Sequence, residues 1–253
     1  MKYLRTSDLA RAAGVHPNTV RRYVDRGYLP PVEYSPSGYR RFTQRHLDYL
    51  RLACQIYCNQ YPGKAIYHSG IHVIQTAISG DLRGALALAH THLVLVQAER
   101  AHAEIAASLL ERWAIAAPTD TTVQPLQIGQ VAHLLGVSID ILRNWDRDGL
   151  IDVPRAPSNG YRRYGEQEIS RLRVIRMLSR AGYSMSAILR MLIQLDQGEK
   201  ANLRRALDTP RPDEDAHMAS DRWLSTLANQ EQRAHTIIVL IEEMIQKQVA
   251  ENC

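Results

Sequence analysis

The chain has one phenylalanine and three cysteines among its 253 residues, and no apolar run approaches the length of a membrane span. Each shortage removes a class of protein. Cys54, Cys58 and Cys253 are too few and too unevenly placed for a disulfide framework, which agrees with a reducing compartment. Without a long apolar run the chain does not read as a helical membrane protein. Its opening, where Lys2, Arg5 and Arg11 sit among Thr, Ser and Asp, does not resemble a secretion signal, so the expected location is the cytoplasm. A nucleophile elbow, a phosphate-binding glycine loop and a His-Glu metal motif are also missing, and the chain is not expected to be an enzyme.

What is present is charge, unevenly spread. Residues 1–60 carry ten Lys/Arg against four Asp/Glu, a net of +6, and residues 126–180 carry nine against six, a net of +3. Residues 213–253 carry three against eight, a net of −5. The two basic stretches point to a polyanionic partner, with a solvated basic face as the competing reading.

Those two stretches are copies of one another. Gly14 matches Gly136, Val15 matches Val137, Arg21 matches Arg143, and Gly27 matches Gly149, each pair 122 residues apart. The run Gly38, Tyr39, Arg40, Arg41 keeps the same offset with Gly160, Tyr161, Arg162, Arg163, and the register holds without a gap from Leu4/Leu126 to Arg51/Arg173. A folded unit has been duplicated within the chain.

Each copy reads as a short helix, a glycine turn, a second short helix closed by glycine, a hairpin, and a longer helix. Thr6 or Ser7 is the expected N-cap of the first helix, and Pro17 suits the first turn of the second, where no backbone N–H is required. Ser138 takes the N-cap position opposite His16. Two helices joined around a glycine form a helix-turn-helix, and "YLPPVEYSPSGYRRF" and "LIDVPRAPSNGYRRY" read as hairpin wings, with Asn159-Gly160 a strong turn signal. The expected fold class is mainly α: two winged helix-turn-helix domains with small β-hairpin wings, each followed by a long helix packed as an antiparallel coiled coil.

The long helices are read from stripes. Leu82, Leu86, Ala89, Leu93 and Val96, continued by Ile105, Leu109 and Trp113, mark residues 81–116; Leu227, Glu231, Ala234, Ile238, Ile241 and Ile245 mark the second, with one polar interruption. Helices of about 30 residues are roughly 45 Å long and need another long helix for cover. The expected domains are 1–80 and 126–212 as the winged units, 81–116 as a packing helix, 117–125 as a Pro- and Thr-containing linker, and 213–253 as an acidic C-terminal helix.

The residues expected to touch DNA are Asn18, Thr19, Arg21, Arg22 and Tyr23 on the first recognition helix, and Arg143, Asn144 and Trp145, with Asp140 beside them, on the second. Arginine and asparagine make bidentate contacts to guanine and adenine edges. A place partly in the core is the competing reading for Tyr23 and Trp145, and for Trp145 it weighs equally. Tyr39, Arg40 and Arg41 on one wing, and Tyr161, Arg162 and Arg163 on the other, are expected to grip the backbone or a groove. One arginine of each wing folding back onto its own domain is the alternative. Cys54 and Cys58, and His68 and His72, have helical i,i+4 spacing but read as ordinary core or surface residues; no metal and no cofactor is expected. Trp113 and Trp223 are expected to pack in cores, with an aromatic ligand site as the alternative.

"GVHPNTVRRYVDRGYLP", "GVSIDILRNWDRDGLI", both "GYRR" wings and "IRMLSRAGYSMSAILRML" resemble the winged helix-turn-helix of MerR-type bacterial transcription regulators, over roughly residues 2–60 and 126–195. The resemblance implies sequence-specific binding to double-stranded promoter DNA through recognition helix and wing, distortion of that DNA, and RNA polymerase as a partner. It also implies dimers built on antiparallel helices, which here become either an intramolecular pseudo-dimer or a homodimer. The chain departs from the family plan in carrying two DNA-binding domains and no recognisable separate effector domain; no effector is identified. The alternatives are an architectural or recombination accessory DNA-binding protein, and a regulator in which only the first repeat reads DNA.

Overall fold

In each repeat the chain enters its first helix from an extended residue, and a side chain three positions on closes the start. The N–H of Arg5 donates to Asp8 Oδ2 at 3.0 Å, and the N–H of Gln127 donates to Gln130 Oε1 at 2.8 Å. The N-cap of the first helix is therefore Arg5, one residue before the Thr6 that sequence suggests, because Leu4 is held extended by its bridge to Phe42. Leu126 is bridged in the same way to Tyr164.

The computed structural model describes residues 3–57, 63–115, 124–210 and 219–251. Cys58, Cys253 and most of the expected linker, including Ala117–Val123, lie outside the described residues. The first repeat contains α1 (Thr6–Ala12), α2 (Pro17–Asp25), a hairpin of β1 (Glu33–Tyr34) and β2 (Arg40–Arg41), α3 (Gln44–Ile56) and α4 (Lys64–Ile78). After α5 (Leu82–Ile115) the second repeat follows as α6 (Ile128–Leu135), α7 (Ile139–Arg147), α8 (Glu166–Arg180) and α9 (Met185–Asp196). A short α10 (Leu203–Asp208), a 3-10 turn (Ala219–Arg222) and α11 (Trp223–Glu251) complete the described chain. Its architecture is mainly helical, with a small wing.

The turn between the first two helices is glycine in both copies because the backbone there is left-handed, φ 66° at Gly14 and 57° at Gly136. A side chain at such a φ is strained. Pro17 occupies the first position of α2 and the His16 ring accepts from the N–H of Asn18; Ser138 Oγ does the corresponding work for α7 by accepting from the N–H of Ile141. The two wings differ. In the first, Glu33 pairs with Arg41 and Tyr34 with Arg40. In the second only Arg155 and Arg162 form a bridge, since Pro154 and Pro157 have no N–H to donate to a ladder.

The chain divides into two compact units, Met1–Ala98 with Leu227–Cys253, and Glu99–Thr226. Both boundaries fall inside or beside a long helix: α5 passes from one unit to the other at Ala98, and α11 at Thr226. The core of the first unit joins Leu9, Val20, Tyr23, Phe42, Leu50 and Ile74 of its repeat to Leu82, Ala85 and Ala89 of α5 and to Ile237, Ile238, Ile241 and Met244 of α11. In this unit the two helix segments run antiparallel, with Gln97 donating to Glu231 at 3.0 Å, while Leu82 lines a surface cleft together with Ile245 and Val249. Lys247 pairs with Asp48 of α3 at 3.0 Å, and Arg233 donates to the Cys54 carbonyl near the end of that helix at 3.4 Å. In the second unit, Tyr183 Oη donates to the Ala103 carbonyl at 3.0 Å, and the Trp113 indole N–H to Ser170 Oγ at 2.6 Å.

The stripes inside the long helices keep Leu82, Ala89, Val96, Leu227, Ala234, Ile238 and Ile241 of those read in sequence and depart from them at the positions between. The buried line of α5 is Leu82, Ala85, Ala89, His92, Val96, Ala103, Ala106 and Leu110, and Ile105 and Leu109 are exposed. In α11 it is Trp223, Leu227, Gln230, Ala234, Ile237, Ile238, Ile241 and Met244, with Gln230 as the buried polar residue and Glu231 half-buried beside it. Steps of three and four are kept, but small alanines occupy seam positions that the larger aliphatic residues were expected to fill.

Candidate nucleic-acid interface

Burial of two residues one turn apart fixes the outward face of each second helix. In α2 these are Val20 and Tyr23, and in α7 Leu142 and Trp145. By helical periodicity the opposite face carries Asn18, Arg21, Arg22 and Asp25 in the first repeat and Asp140, Arg143, Asn144 and Arg147 in the second. Thr19 is half-buried on the flank. Tyr23 and Trp145, placed by sequence at the DNA contact, turn inward with 3% and 7% exposure. Tyr23 Oη donates to the Tyr57 carbonyl at 3.1 Å, and its ring joins a cluster in which Tyr28 and Tyr57 stack at 4.0 Å. The matched positions in the second repeat are Trp145, Leu150 and Ser179, so this tyrosine cluster belongs to the first copy alone. Burial raises the Tyr57 phenol above its ordinary range, with the neighbouring Tyr28 adding to the effect.

The outward side chains are held in pairs three residues apart. Arg21 Nη1 donates to Asn18 Oδ1 at 2.8 Å, and Arg143 Nη1 to Asp140 Oδ1 at 3.3 Å. Arg147 donates to Asn144 Oδ1 at 2.9 Å. Arg22 lies with its guanidinium 5.8 Å from the Tyr23 ring centroid. Such tethering narrows the rotamers of long side chains before any ligand arrives.

In each wing the first arginine folds back and the aromatic residue stands out. Arg40 donates to Asp25 at 2.9 Å, and Arg162 to Asp146 through Nε at 2.7 Å, with both arginines half-buried. These bonds tie the wing to the end of the recognition helix. Asp25 and Asp146 were not apparent from sequence, because they are not partners in the 122-residue register: Asp25 matches Arg147, and Asp146 matches Val24. Tyr39 and Tyr161 at the wing tips are 75% and 68% exposed. Arg41 lies 5.0 Å from the Tyr3 ring centroid, and Arg163 is exposed. Recognition-helix and wing cations of each repeat are thereby assembled within that repeat on a common scaffold.

Elsewhere, Cys54 is a half-buried free thiol whose pKa burial raises, and His68 and His72 are exposed on α4. Among the described residues no three His, Cys, Asp or Glu side chains gather as metal ligands, and no helix is long and apolar enough to cross a membrane. Trp223 is buried and its indole N–H donates to the Ala181 carbonyl at 2.8 Å.

Residues 5–42 match the family model described as MerR family regulatory protein, and residues 126–195 match the MerR HTH family regulatory protein model. Two regions of the chain are thus MerR-family units. Both of its MerR regions contain the paired helix and wing just described. It is 34% identical over 79 residues to the mercuric resistance operon regulatory protein of Serratia marcescens, a match covering 31% of this chain and 54% of that protein. It is 31% identical over 88 residues to the HTH-type transcriptional repressor CarH of Myxococcus xanthus, covering 34% and 29%, and 30% identical over 86 residues to a ZntR homolog of Haemophilus influenzae, covering 33% and 63%. The chain thus spans about half the length of the mercuric regulators that it matches. No solved structure matches it.

Proposed function

We propose that this chain is a sequence-specific double-stranded DNA-binding regulator of transcription that acts at promoter DNA. The observation that supports this most directly is the repetition of one construction: an exposed arginine tethered on the second helix of each helix-turn-helix, beside a wing anchored through its own arginine. In this reading residues 1–80 and 126–212 are the two DNA-binding modules. The contacts are made by Asn18, Thr19, Arg21, Arg22, Tyr39 and Arg41 in the first, and by Arg143, Asn144, Tyr161 and Arg163 in the second; Arg40 and Arg162 position the wings. The antiparallel pairing of α5 and α11 segments inside the first unit supports an intramolecular pseudo-dimer, in which one chain supplies both reading modules that a dimer would otherwise bring together. Distortion of the promoter and contact with RNA polymerase belong to the same proposal, as does a cytoplasmic location.

The test is selection of bound fragments from the source genome, followed by footprinting and the mass of the bound complex. One chain on a bipartite site supports the pseudo-dimer; two chains overturn it in favour of a homodimer. Salt-sensitive binding without a preferred fragment overturns sequence-specific regulation in favour of an architectural role. The triple substitution Arg143→Ala, Arg162→Ala, Arg163→Ala is expected to shorten the footprint to one half. An unchanged footprint and affinity would leave the first repeat as the only reader.

A further inference from the structure

Asn18 and Asp140 occupy the same register position and hold the same partner, an arginine three residues later, yet what remains of each side chain has opposite hydrogen-bonding character. Arginine has donors only. Asn18 must therefore give its oxygen to Arg21, at 2.8 Å, and keeps its two N–H donors for anything outside. Asp140 gives Oδ1 to Arg143 at 3.3 Å and keeps Oδ2, an acceptor; its side chain is 82% exposed. Donor and acceptor are thus exchanged at one position of two reading faces that share the arginine three residues on and differ also at Arg22/Asn144 and Asp25/Arg147. Their flanks differ too: exposed Ile139 and Ile141 stand where the first repeat has Pro17 and Thr19.

We propose that Asn18 and Asp140 are specificity-determining residues that make the two halves of the operator chemically unlike. This rests on the DNA-reading role proposed above. Asn18 selects a base whose major-groove edge offers an acceptor, such as guanine or thymine, and Asp140 selects cytosine, whose N4 amino group is a donor. Adenine also has an amino group, but its N7 lone pair sits beside it and faces a carboxylate unfavourably, so cytosine is the better partner. Ile141 extends the contrast, since an exposed aliphatic side chain suits a thymine methyl group and Thr19 offers a hydroxyl. The second half-site is accordingly pyrimidine-rich on the strand facing Asp140 and Ile141.

The experiment is selection from randomised duplexes by the intact chain, using wild type, Asp140→Asn, Asn18→Asp and Arg143→Ala. Wild type is expected to enrich a bipartite site with unlike halves. Asp140→Asn should lose about tenfold in preference for cytosine at one position of one half-site, and Asn18→Asp should gain such a preference in the other half. If Asp140→Asn selects the wild-type sequence while Arg143→Ala loses that half-site, the second repeat reads DNA without Asp140, and the assignment falls while the proposed function stands. A uniform rise in affinity for all sequences on Asp140→Asn would also overturn it, marking the carboxylate as simple repulsion of phosphate. Failure of wild type to enrich any sequence would remove both.

Discussion

Freeing Arg162 by Asp146→Ala is expected to lower the stability of the second unit by about 1 kcal/mol, read by urea denaturation, because the bond is short and both partners are shielded. Tyr161→Ala is the complementary change: with 68% exposure its removal should leave stability within about 0.5 kcal/mol while weakening DNA binding. Two buried histidines give the first unit a pH dependence. His46 lies between Thr43 and the Pro31 carbonyl, and His92 faces Ser69; burial lowers both pKa values, against a partial upward pull from Pro31 on His46. The unfolded chain then takes up protons first as pH falls. Stability from these groups is complete above the unfolded value of about 6.5 and declines as pH drops below it towards the folded values. Melting temperatures from pH 8 to 5 should show that decline, and His46→Asn with His92→Gln should flatten it.

Two glycines separate conformational need from mere occurrence at the scale of elements. Gly182, between α8 and α9, has φ 93°, and a Cβ there would meet Trp223 Nε1 at 2.6 Å. Gly182→Ala is expected to cost about 2 kcal/mol or more, measured as a lower melting temperature of the second unit. Gly129 in α6 has open space around its Cα and ordinary helical geometry, so Gly129→Ala should stabilise by about 0.5–1 kcal/mol. Elements of this kind were legible in the sequence: the turn glycines, Pro17, Ser138 and the fixed offset locate the helices and wings of both repeats. The seams of α5 and α11 were legible only in outline. Periodicity follows residue size, so Ile105 and Leu109 drew the stripe toward solvent while Ala103 and Ala106 carry the contact. The paired positions Asn18/Asp140 and Arg21/Arg143 could be found from the duplication; Asp25 and Asp146 could not, since they reach equivalent wing arginines from non-equivalent places.

At the scale of the whole molecule, the two units differ in how they are assembled from the chain. One is continuous from Glu99 to Thr226; the other joins residues on both sides of it. Ile241 is fully buried among first-repeat residues, and Ile241→Ala is expected to destabilise that unit by about 2–4 kcal/mol. Hydrogen exchange should then show lost amide protection in α1 and α3 with that of α8 retained; equal loss in both units would mean that they unfold as one. The placement of α11 also bears on how the protein is made. Domains ordinarily fold in the order in which they leave the ribosome. Here the N-terminal repeat emerges first but waits for Ile237, Ile241 and Met244, more than 180 residues behind Leu50, before its core is closed. The second repeat lies in one stretch whose residues all precede Ile237, so the core of the first unit is expected to be the last to close during synthesis.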